Sequence, residues 1–259
     1  MVKQCGSVLA VLMCGGIASA QSINLEWGTP ETAPPSTYAG VGLPGVWNTL
    51  QEMPSGTRFP LVDIDGNVVT ADVANFGFDV IESSEIPGTF GADEALLDDC
   101  YTSFNDPVDG CLFFKEMEPG EYEVIMYSIA PDDTTLTSRI RVDQNTLDPE
   151  FIGGEWAGLH QDGVTYLRQS ATVTGDGRLE IHSGLFGGEI RSVLNGVQLI
   201  KTSEVCTGDC DSDGEVAFND LICALFTFGT PSFTADCDGN ESVDFNDLVC
   251  MLFEFGPCE

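Results

Sequence analysis

Residues 209–229 read DCDSDGEVAFNDLICALFTFG, and residues 236–256 read DCDGNESVDFNDLVCMLFEFG. The two segments start 27 residues apart and agree at 13 of 21 positions, apolar positions included. General acidity does not repeat apolar residues in register. The repeat therefore predicts one small unit, a loop followed by a short helix, that is used twice.

Each copy begins with oxygen-bearing side chains at the spacing of a calcium-binding loop. Ca²⁺ takes roughly six to eight oxygen ligands, which a tight loop offers from alternate positions and from its twelfth residue. The ligand positions are Asp209, Asp211, Asp213, Glu215 (backbone carbonyl) and Asp220 in the first loop, and Asp236, Asp238, Asn240, Ser242 (backbone carbonyl), Asp244 and Asp247 in the second. We therefore expect two bound Ca²⁺ ions. The alternative is a pair of acidic surface turns.

A short apolar helix is predicted after each loop. The spacing predicts helices over Leu221–Phe228 and Leu248–Phe255, capped by Asn219 and Asn246 and stopped by glycines at 229 and 256. Both are apolar nearly all round, so something must cover them. Either the two helices bury each other, or a residual face docks another protein.

The repeat resembles a type I dockerin module over Cys206–Cys258. Dockerins carry two calcium loops, each followed by one helix, and Asp at the twelfth loop position fits that variant. Glu241 stands where the second loop would carry glycine, which predicts the better backbone geometry for the first loop. The resemblance implies a cohesin-like or cell-surface protein partner, contacted through the tenth and eleventh loop positions, which are Phe218, Asn219, Phe245 and Asn246. The family usually has small hydroxyl residues there, so calcium binding carries over more directly than cohesin recognition.

The first 20 residues have the pattern of a secretory signal. Lys3 precedes an apolar stretch, and Ala18-Ser19-Ala20 forms a small-residue cleavage site. The apolar stretch is too short to span a bilayer, and no later one is longer. We expect cleavage after Ala20 and a secreted or cell-surface protein.

Cysteine usage agrees with export. Two of the ten cysteines leave with the signal, and the isolated Cys100 and Cys111 are expected to pair with each other. The remaining six lie in the C-terminal module and are expected to pair among themselves, with their connectivity open. They are Cys206, Cys210, Cys223, Cys237, Cys250 and Cys258. A zinc site is the alternative for these six, although the module has no histidine.

The formal net charge of −33 excludes two classes of partner. Nucleic acids and anionic membranes are both polyanionic and would be repelled. Bound divalent cations or salt would relieve the self-repulsion, which fits a saline habitat.

Residues 21–201 have the pattern of an antiparallel β-sandwich. Short apolar or alternating runs are separated by Gly, Pro, Asn and Asp, and hairpin turns are predicted at 65–67 and 175–177. The predicted strands are Ile23–Trp27, Phe59–Ile64, Glu121–Ile129, Ser138–Val142, Val164–Val173 and Arg178–His182.

The same region resembles the galactose-binding-like jelly rolls of exported bacterial proteins. The resemblance rests on Pro119-Gly120-Glu121-Tyr122, which opens a strand, and on Asn195-Gly196-Val197 near the end, together with the stretches at 33–48, 95–99 and 178–181. It implies a fold that often binds carbohydrate, without identifying a sugar site.

No catalytic motif stands out, so no catalytic residue is predicted. The only histidines are His160, placed on a loop, and His182, placed on the solvated side of a strand. Trp27 and Trp47 are assigned to the core. Trp156 is the better exposed candidate for stacking on a sugar ring.

We therefore expect a signal peptide at 1–20, an all-β jelly-roll or β-sandwich domain at 21–201 and a small α-helical, dockerin-like calcium module (paired loop-helix units) at 202–259. The first hypothesis is an exported, non-catalytic calcium-binding protein whose module serves assembly or attachment. The second is a glycoside hydrolase recruited to a complex through its dockerin. The third is a structural protein of the envelope or matrix.

Overall fold

The computed structural model describes residues 21–52, 54–78, 80–103, 110–142, 150–184, 191–204, 208–210, 215–230, 232, 235–238, 240 and 242–257. These residues are mostly β, as expected. The strands are β1 Ile23–Trp27, β2 Trp47–Leu50, β3 Arg58–Val62, β4 Val68–Phe76, β5 Val80–Ser83, β6 Asp99–Ser103, β7 Gly110–Lys115, β8 Gly120–Tyr127, β9 Ser138–Val142, β10 Glu150–Ile152, β11 Tyr166–Val173, β12 Leu179–Ser183, β13 Ser192–Leu194, β14 Gly196–Glu204, β15 Glu215–Val216 and β16 Gly256–Pro257. The helices are α1 Ala92–Leu97, α2 Phe218–Phe226 and α3 Phe245–Phe253.

Two large sheets share one hydrophobic core. The five-stranded sheet has the order β11-β8-β14-β1-β2, and the six-stranded sheet has the order β10-β9-β12-β7-β4-β3. Val124 and Met126 of the first sheet pack in the same buried cluster as Phe114 and Ile181 of the second. Alternation along the strands puts one apolar face of each sheet inward, which is the pattern of a β-sandwich. A three-stranded sheet, β13-β6-β5, completes this region.

The five-stranded sheet is also covered on its other face. Ile125 and Tyr127 of β8 point away from the shared core and join a second buried cluster with Trp47, Leu96 and Leu97. The last two belong to α1, a helix that the sequence analysis did not predict. This part of the sheet is therefore buried on both faces, which explains the continuous burial of Val124–Tyr127 in β8, whereas the outer face of β11 stays exposed at Arg168, Ser170 and Thr172.

The segment at 35–46 is fastened to this sheet by buried polar groups. The Tyr127 hydroxyl donates to Oε1 of Gln198 at 2.7 Å and accepts the Val41 N–H at 2.8 Å. Nε2 of Gln198 donates to the Leu43 carbonyl at 2.9 Å. Because buried polar groups are costly when unpaired, these bonds fix the segment in place.

Most strand predictions are confirmed. Ile23–Trp27 and Ser138–Val142 have the predicted bounds, and the turn at 65–67 joins β3 to β4 as a hairpin. Two expectations are wrong. The turn at 175–177 joins β11 to β12, which lie in different sheets, and β1 pairs with β2 in parallel. Composition identifies the turn at 175–177 but not which strands pair on either side of it. The long connection at 28–46 gives the chain room to return, so that β2 can run parallel to β1.

The C-terminal module has a small core of its own. Val216, Ala224, Val243 and Met251 are buried, and Leu221, Leu248 and both disulfides pack against them. Helices α2 and α3 each start three residues earlier than predicted, and their N-caps are Ala217 and Asp244 instead of the predicted asparagines.

The earlier start has a local cause. The carboxylates of Asp220 and Asp247, at the third helical position, accept the N–H of the cap residue at 2.7 and 2.6 Å. This satisfies a backbone donor that the helix itself leaves unpaired.

Among the described residues, no helix has the length and apolar character needed to cross a membrane. The predicted signal at 1–20 lies outside the described residues, so cleavage after Ala20 and export stay predictions.

Candidate functional site

Three carboxylates predicted as calcium ligands converge in the second loop. Asp236, Asp238 and Asp247 each offer an oxygen, and these oxygens all lie within 4.8 Å of one another. They occupy the first, third and twelfth loop positions. Asp247 is fully buried, whereas Asp238 is exposed at the loop tip.

Backbone amides hold these carboxylates in place. Asp247 accepts the N–H of Asp238 at 3.0 Å as well as the helix-cap N–H. Asp236 accepts the N–H of Asn240 at 3.0 Å. These bonds orient the carboxylate oxygens, so the loop presents them together.

The other predicted ligands of the second loop take different positions. The Asn240 side chain accepts the Ser242 N–H at 3.0 Å, and both residues lie at the exposed surface. Asp244 is outside the three-carboxylate group, because its Oδ1 accepts the Asn246 N–H at 2.6 Å and caps α3. Gly239 and Glu241 lie outside the described residues, so the expected difference in backbone geometry between the two loops stays a prediction.

The first loop shows the same anchor at its twelfth position. Asp220 is fully buried and accepts the N–H of Cys210 and that of Ala217, both at 2.7 Å. Glu215 is exposed at the start of β15, and Asp209 is half-buried. Asp211 and Asp213 lie outside the described residues.

In each copy, one disulfide ties the loop to the helix that follows it. These bonds join Cys210 to Cys223 and Cys237 to Cys250, and both have a Cα–Cα distance of 5.8 Å. The expected pairing within the module is therefore confirmed for four cysteines. Cys206 and Cys258 lie outside the described residues.

The described donors fit Ca²⁺. They are oxygens, several are anionic, and their spacing suits a hard cation. In each copy, the two cysteines that could have bound zinc instead form a disulfide with each other.

The predicted partner-binding residues are exposed. Phe218 and Phe245 are 67% and 69% exposed, and Asn219 and Asn246 lie beside them at the surface. The exposed apolar surface continues along both helices through Ile222, Leu225, Phe226, Phe228, Val249, Leu252, Phe253 and Phe255. The expectation that the helices bury each other is thus wrong for most of their apolar side chains. A nine-residue helix can turn only a narrow stripe toward a core that consists of two helices and two loops.

Trp156 is less available for sugar stacking than predicted. Its ring is half-buried, its Nε1 donates to the Gly88 carbonyl at 3.0 Å, and it packs edge-on against His160. Trp27 and Trp47 are buried, as predicted.

His160 lies on a loop, as predicted, but takes part in a hydrogen-bond network that no sequence motif indicated. Tyr38 donates its hydroxyl proton to Asp93 at 2.5 Å and lies 2.8 Å from Nε2 of His160. Nε2 of His160 thus faces the Tyr38 oxygen and lies 3.4 Å from Oδ1 of Asp93, while Nδ1 faces the Thr165 hydroxyl at 3.2 Å. Burial lowers the pKa of His160, and the nearby Asp93 carboxylate opposes this shift.

Two predictions about residues in the β-sheets are wrong. His182 is only 9% exposed, not solvated, and Cys100 and Cys111 are both free thiols. Cys100 belongs to β6 in the three-stranded sheet, whereas Cys111 belongs to β7 in the six-stranded sheet. Cys111 is instead paired in register with His182. The two cysteines are close in the sequence, but that closeness does not determine which sheet each strand joins.

The outer face of the six-stranded sheet is rich in cationic side chains, in contrast to the acidic chain as a whole. This face points away from the shared core. Five of the nine Lys and Arg residues of the chain lie on it: Arg58, Lys115, Arg139, Arg141 and Arg178. Phe113 at its centre has three of these cations within 6 Å of its ring, at 5.6, 5.6 and 5.1 Å. Phe76 and Phe151 are exposed on the same face.

A cleft of about 430 Å³ opens at the edge of the sandwich. Thr29, Thr32, Glu52 and Asp99 contribute to its lining. Burial raises the pKa of Asp99, with a hydrogen bond from Ser83 acting in the opposite direction.

No family model matches the chain, and no curated protein matches it. Solved structures do match. Protein YxiM from Bacillus subtilis aligns with 71% of this chain at 12% identity and a TM-score of 0.38, and the ANX1 ectodomain from Arabidopsis thaliana aligns with 69% at 13% identity and a TM-score of 0.41. The chain spans only 40% and 47% of those two proteins. A family 35 carbohydrate-binding module from Clostridium thermocellum aligns over 92% of its own length with 50% of this chain, at 13% identity and a TM-score of 0.30.

Proposed function

We propose that the protein is an exported, non-catalytic calcium-binding protein. A dockerin-like module at 202–259 would bind two Ca²⁺ ions and attach a galactose-binding-like β-sandwich at 21–201 to a protein partner. The convergence of Asp236, Asp238 and Asp247 in one of two repeated loops supports this proposal most strongly.

Calcium explains why the loops concentrate negative charge. Carboxylates this close repel one another, and a bound divalent cation would turn that repulsion into attraction. Because an unfolded loop does not present its ligands together, binding would stabilise the folded module by mass action.

The exposed phenylalanines support a protein partner. Phe226 and Phe253 are 86% and 84% exposed, and each continues the surface that begins at Phe218 or Phe245. Contiguous apolar surface of this kind is uncommon on a free monomer and marks interaction sites. The partner would be a cohesin-like or cell-surface protein.

The outer face of the six-stranded sheet supports an acidic carbohydrate as the ligand of the sandwich. Aromatic rings such as Phe151 can pack on a sugar ring. Arg58 and Arg178 pair with Asp72 and Glu180 in the free protein, and each would exchange or share that partner with a carboxylate or sulfate group of the sugar. The rest of this acidic chain would repel such a polymer, which makes the cationic face the favourable contact.

Calorimetry on the full chain tests the calcium proposal. The wild type should bind two Ca²⁺ ions and lose thermal stability in EDTA. Asp238→Ala should remove one binding event, whereas Asp162→Asn, at an exposed site on the sandwich, lowers the negative charge equally and should leave both. Absence of binding heat together with a melting temperature unaffected by EDTA would refute it.

Binding to immobilised polysaccharides tests the carbohydrate proposal. Acidic polymers should be retained more strongly than neutral ones, and retention should weaken with salt. Combining Arg58→Gln with Arg178→Gln should reduce retention several-fold. Arg168→Gln, on β11 of the other sheet, is the matched control. Equal retention of the double variant and the control would contradict the assignment of this face.

A glycoside hydrolase is the second candidate, and the cleft beside β6 favours it. Glycosidases place two carboxyl groups on either side of the scissile bond. Asp99 and Glu52 both line this cleft, and burial raises the pKa of Asp99. Hydrolysis of a polysaccharide by the wild type, lost in both Asp99→Asn and Glu52→Gln, would establish this function in place of the non-catalytic one.

A further inference from the structure

Cys111, Glu180 and His182 form a compact cluster on the outer face of the six-stranded sheet. Cys111 on β7 lies directly opposite His182 on β12, and Glu180 lies two residues before it on the same face. Nε2 of His182 lies 3.9 Å from the Cys111 sulfur and 3.5 Å from Oε2 of Glu180. One ligand atom from each residue falls within 4.8 Å of the other two.

These separations are close to those around a tetrahedral metal ion. With Zn–S near 2.3 Å and Zn–N or Zn–O near 2.0–2.1 Å, tetrahedral angles place sulfur about 3.6 Å from nitrogen, and nitrogen about 3.4 Å from oxygen. The observed distances exceed these by only a few tenths of an ångström. The same imidazole nitrogen faces both neighbours, as a shared metal ion requires.

We propose that Cys111, Glu180 and His182 bind a late first-row divalent cation, with Zn²⁺ as the best match. A thiolate, an imidazole and a carboxylate form the mixed sulfur, nitrogen and oxygen set that Zn²⁺ accepts. Ca²⁺ prefers oxygen ligands, so this site differs in chemistry from the C-terminal loops. The two anionic ligands balance the charge of the ion.

The surrounding strands hold the ligands rigidly. His182 lies on a strand flanked by β7 and β9, which fixes its backbone on both sides. Arg178 donates to Oε1 of Glu180 at 2.8 Å, and Oε2 is left facing the imidazole. A second bond of this kind orients a metal-binding carboxylate.

Cobalt titration of the full chain tests the site. Purification without air keeps the thiols reduced, and excess Ca²⁺ occupies the C-terminal loops. One equivalent of Co²⁺ should produce a thiolate-to-cobalt charge-transfer band, and Zn²⁺ should abolish it. Zn²⁺ should also slow the reaction of the Cys111 thiol with a disulfide reagent at least tenfold.

Two variants and a control identify the ligands. Cys111→Ser should abolish the band, and His182→Gln should weaken cobalt binding at least tenfold. Cys100→Ser should leave it intact, because Cys100, the other free thiol in the part of the chain that the structure describes, is buried elsewhere. A wild-type protein with a reactive Cys111 thiol and no charge-transfer band would show only a thiol–imidazole hydrogen bond and overturn the proposal. A band that persists in folded Cys111→Ser would also overturn it.

Discussion

Val216 pairs with Gly256 in an antiparallel bridge, although the two residues belong to different copies of the C-terminal repeat. The reciprocal contact is also present, since Gly229 donates its N–H to the Val243 carbonyl at 2.8 Å. Each loop is thus joined to the end of the helix that follows the other loop. Equivalent residues of the two copies thus make reciprocal backbone contacts.

These reciprocal contacts between the two copies predict that the two loops bind calcium cooperatively. In Asp238→Ala, the second loop loses a ligand and should no longer close around its ion. The resulting change in the position of Val243 should be transmitted through its hydrogen bond with Gly229 to the helix of the first copy. We expect the remaining site to bind Ca²⁺ several-fold more weakly than in the wild type, measured by calorimetry. An unchanged affinity at the remaining site would mean that the two loops act independently.

The exposed rings should be dispensable for folding. Replacing Phe218 and Phe245 together by Ala should shift the melting temperature by no more than about 2 °C, because both side chains are largely exposed to solvent. Met251→Ala is the buried control and should cost about 2–5 kcal/mol. Capture of a protein from the surface extract of the source cell should be lost in the double variant. If the double variant melts as low as Met251→Ala, the rings belong to the core.

Glu26 should make the sandwich less stable as pH rises. Burial raises the pKa of this carboxyl from its ordinary 4.5 to about 8, and the nearby Asp99 adds to the shift. The folded state therefore keeps a proton that the unfolded state releases, so stability falls as pH increases from about 5 to 8. Glu26→Gln should raise the melting temperature at pH 8 by several degrees and have little effect at pH 4.5. An equal effect at both pH values would show that charge is not the cause.

His160 should stay neutral at neutral pH. Because burial lowers its pKa, the folded state resists protonation, and this contribution to stability is lost as pH falls below about 6.5. Nuclear magnetic resonance of the imidazole should show a pKa below the ordinary value. Asp93→Asn removes the nearby negative charge and should lower that pKa further. A rise in the pKa of His160 in this variant would contradict the assignment of Asp93 as its stabilising partner.

The repeated loop and the strand pattern could be predicted from the sequence because both depend on local spacing. The spacing of a calcium loop predicted Asp236, Asp238 and Asp247 as ligands, and their oxygens do lie together. Short apolar or alternating runs predicted strands such as β9 and β12. The number of cysteines predicted pairing within the module, but the partners Cys210–Cys223 and Cys237–Cys250 were decided by the fold. Local order fixes which face of a strand a residue occupies, so Glu180 and His182 could be placed on one side together.

Which strands become neighbours was decided only by the tertiary structure. Strand pairing brings Cys111 beside His182 and away from Cys100, and it collects Arg58, Arg139 and Arg178 on one face of an acidic protein. Burial likewise depends on what covers a surface. The 35–46 segment and α1 cover the outer face of the five-stranded sheet around Ile125 and Tyr127, whereas the phenylalanines of α2 and α3 remain exposed. Contacts between residues that are distant in sequence depend on sheet order, and no local pattern encodes that order.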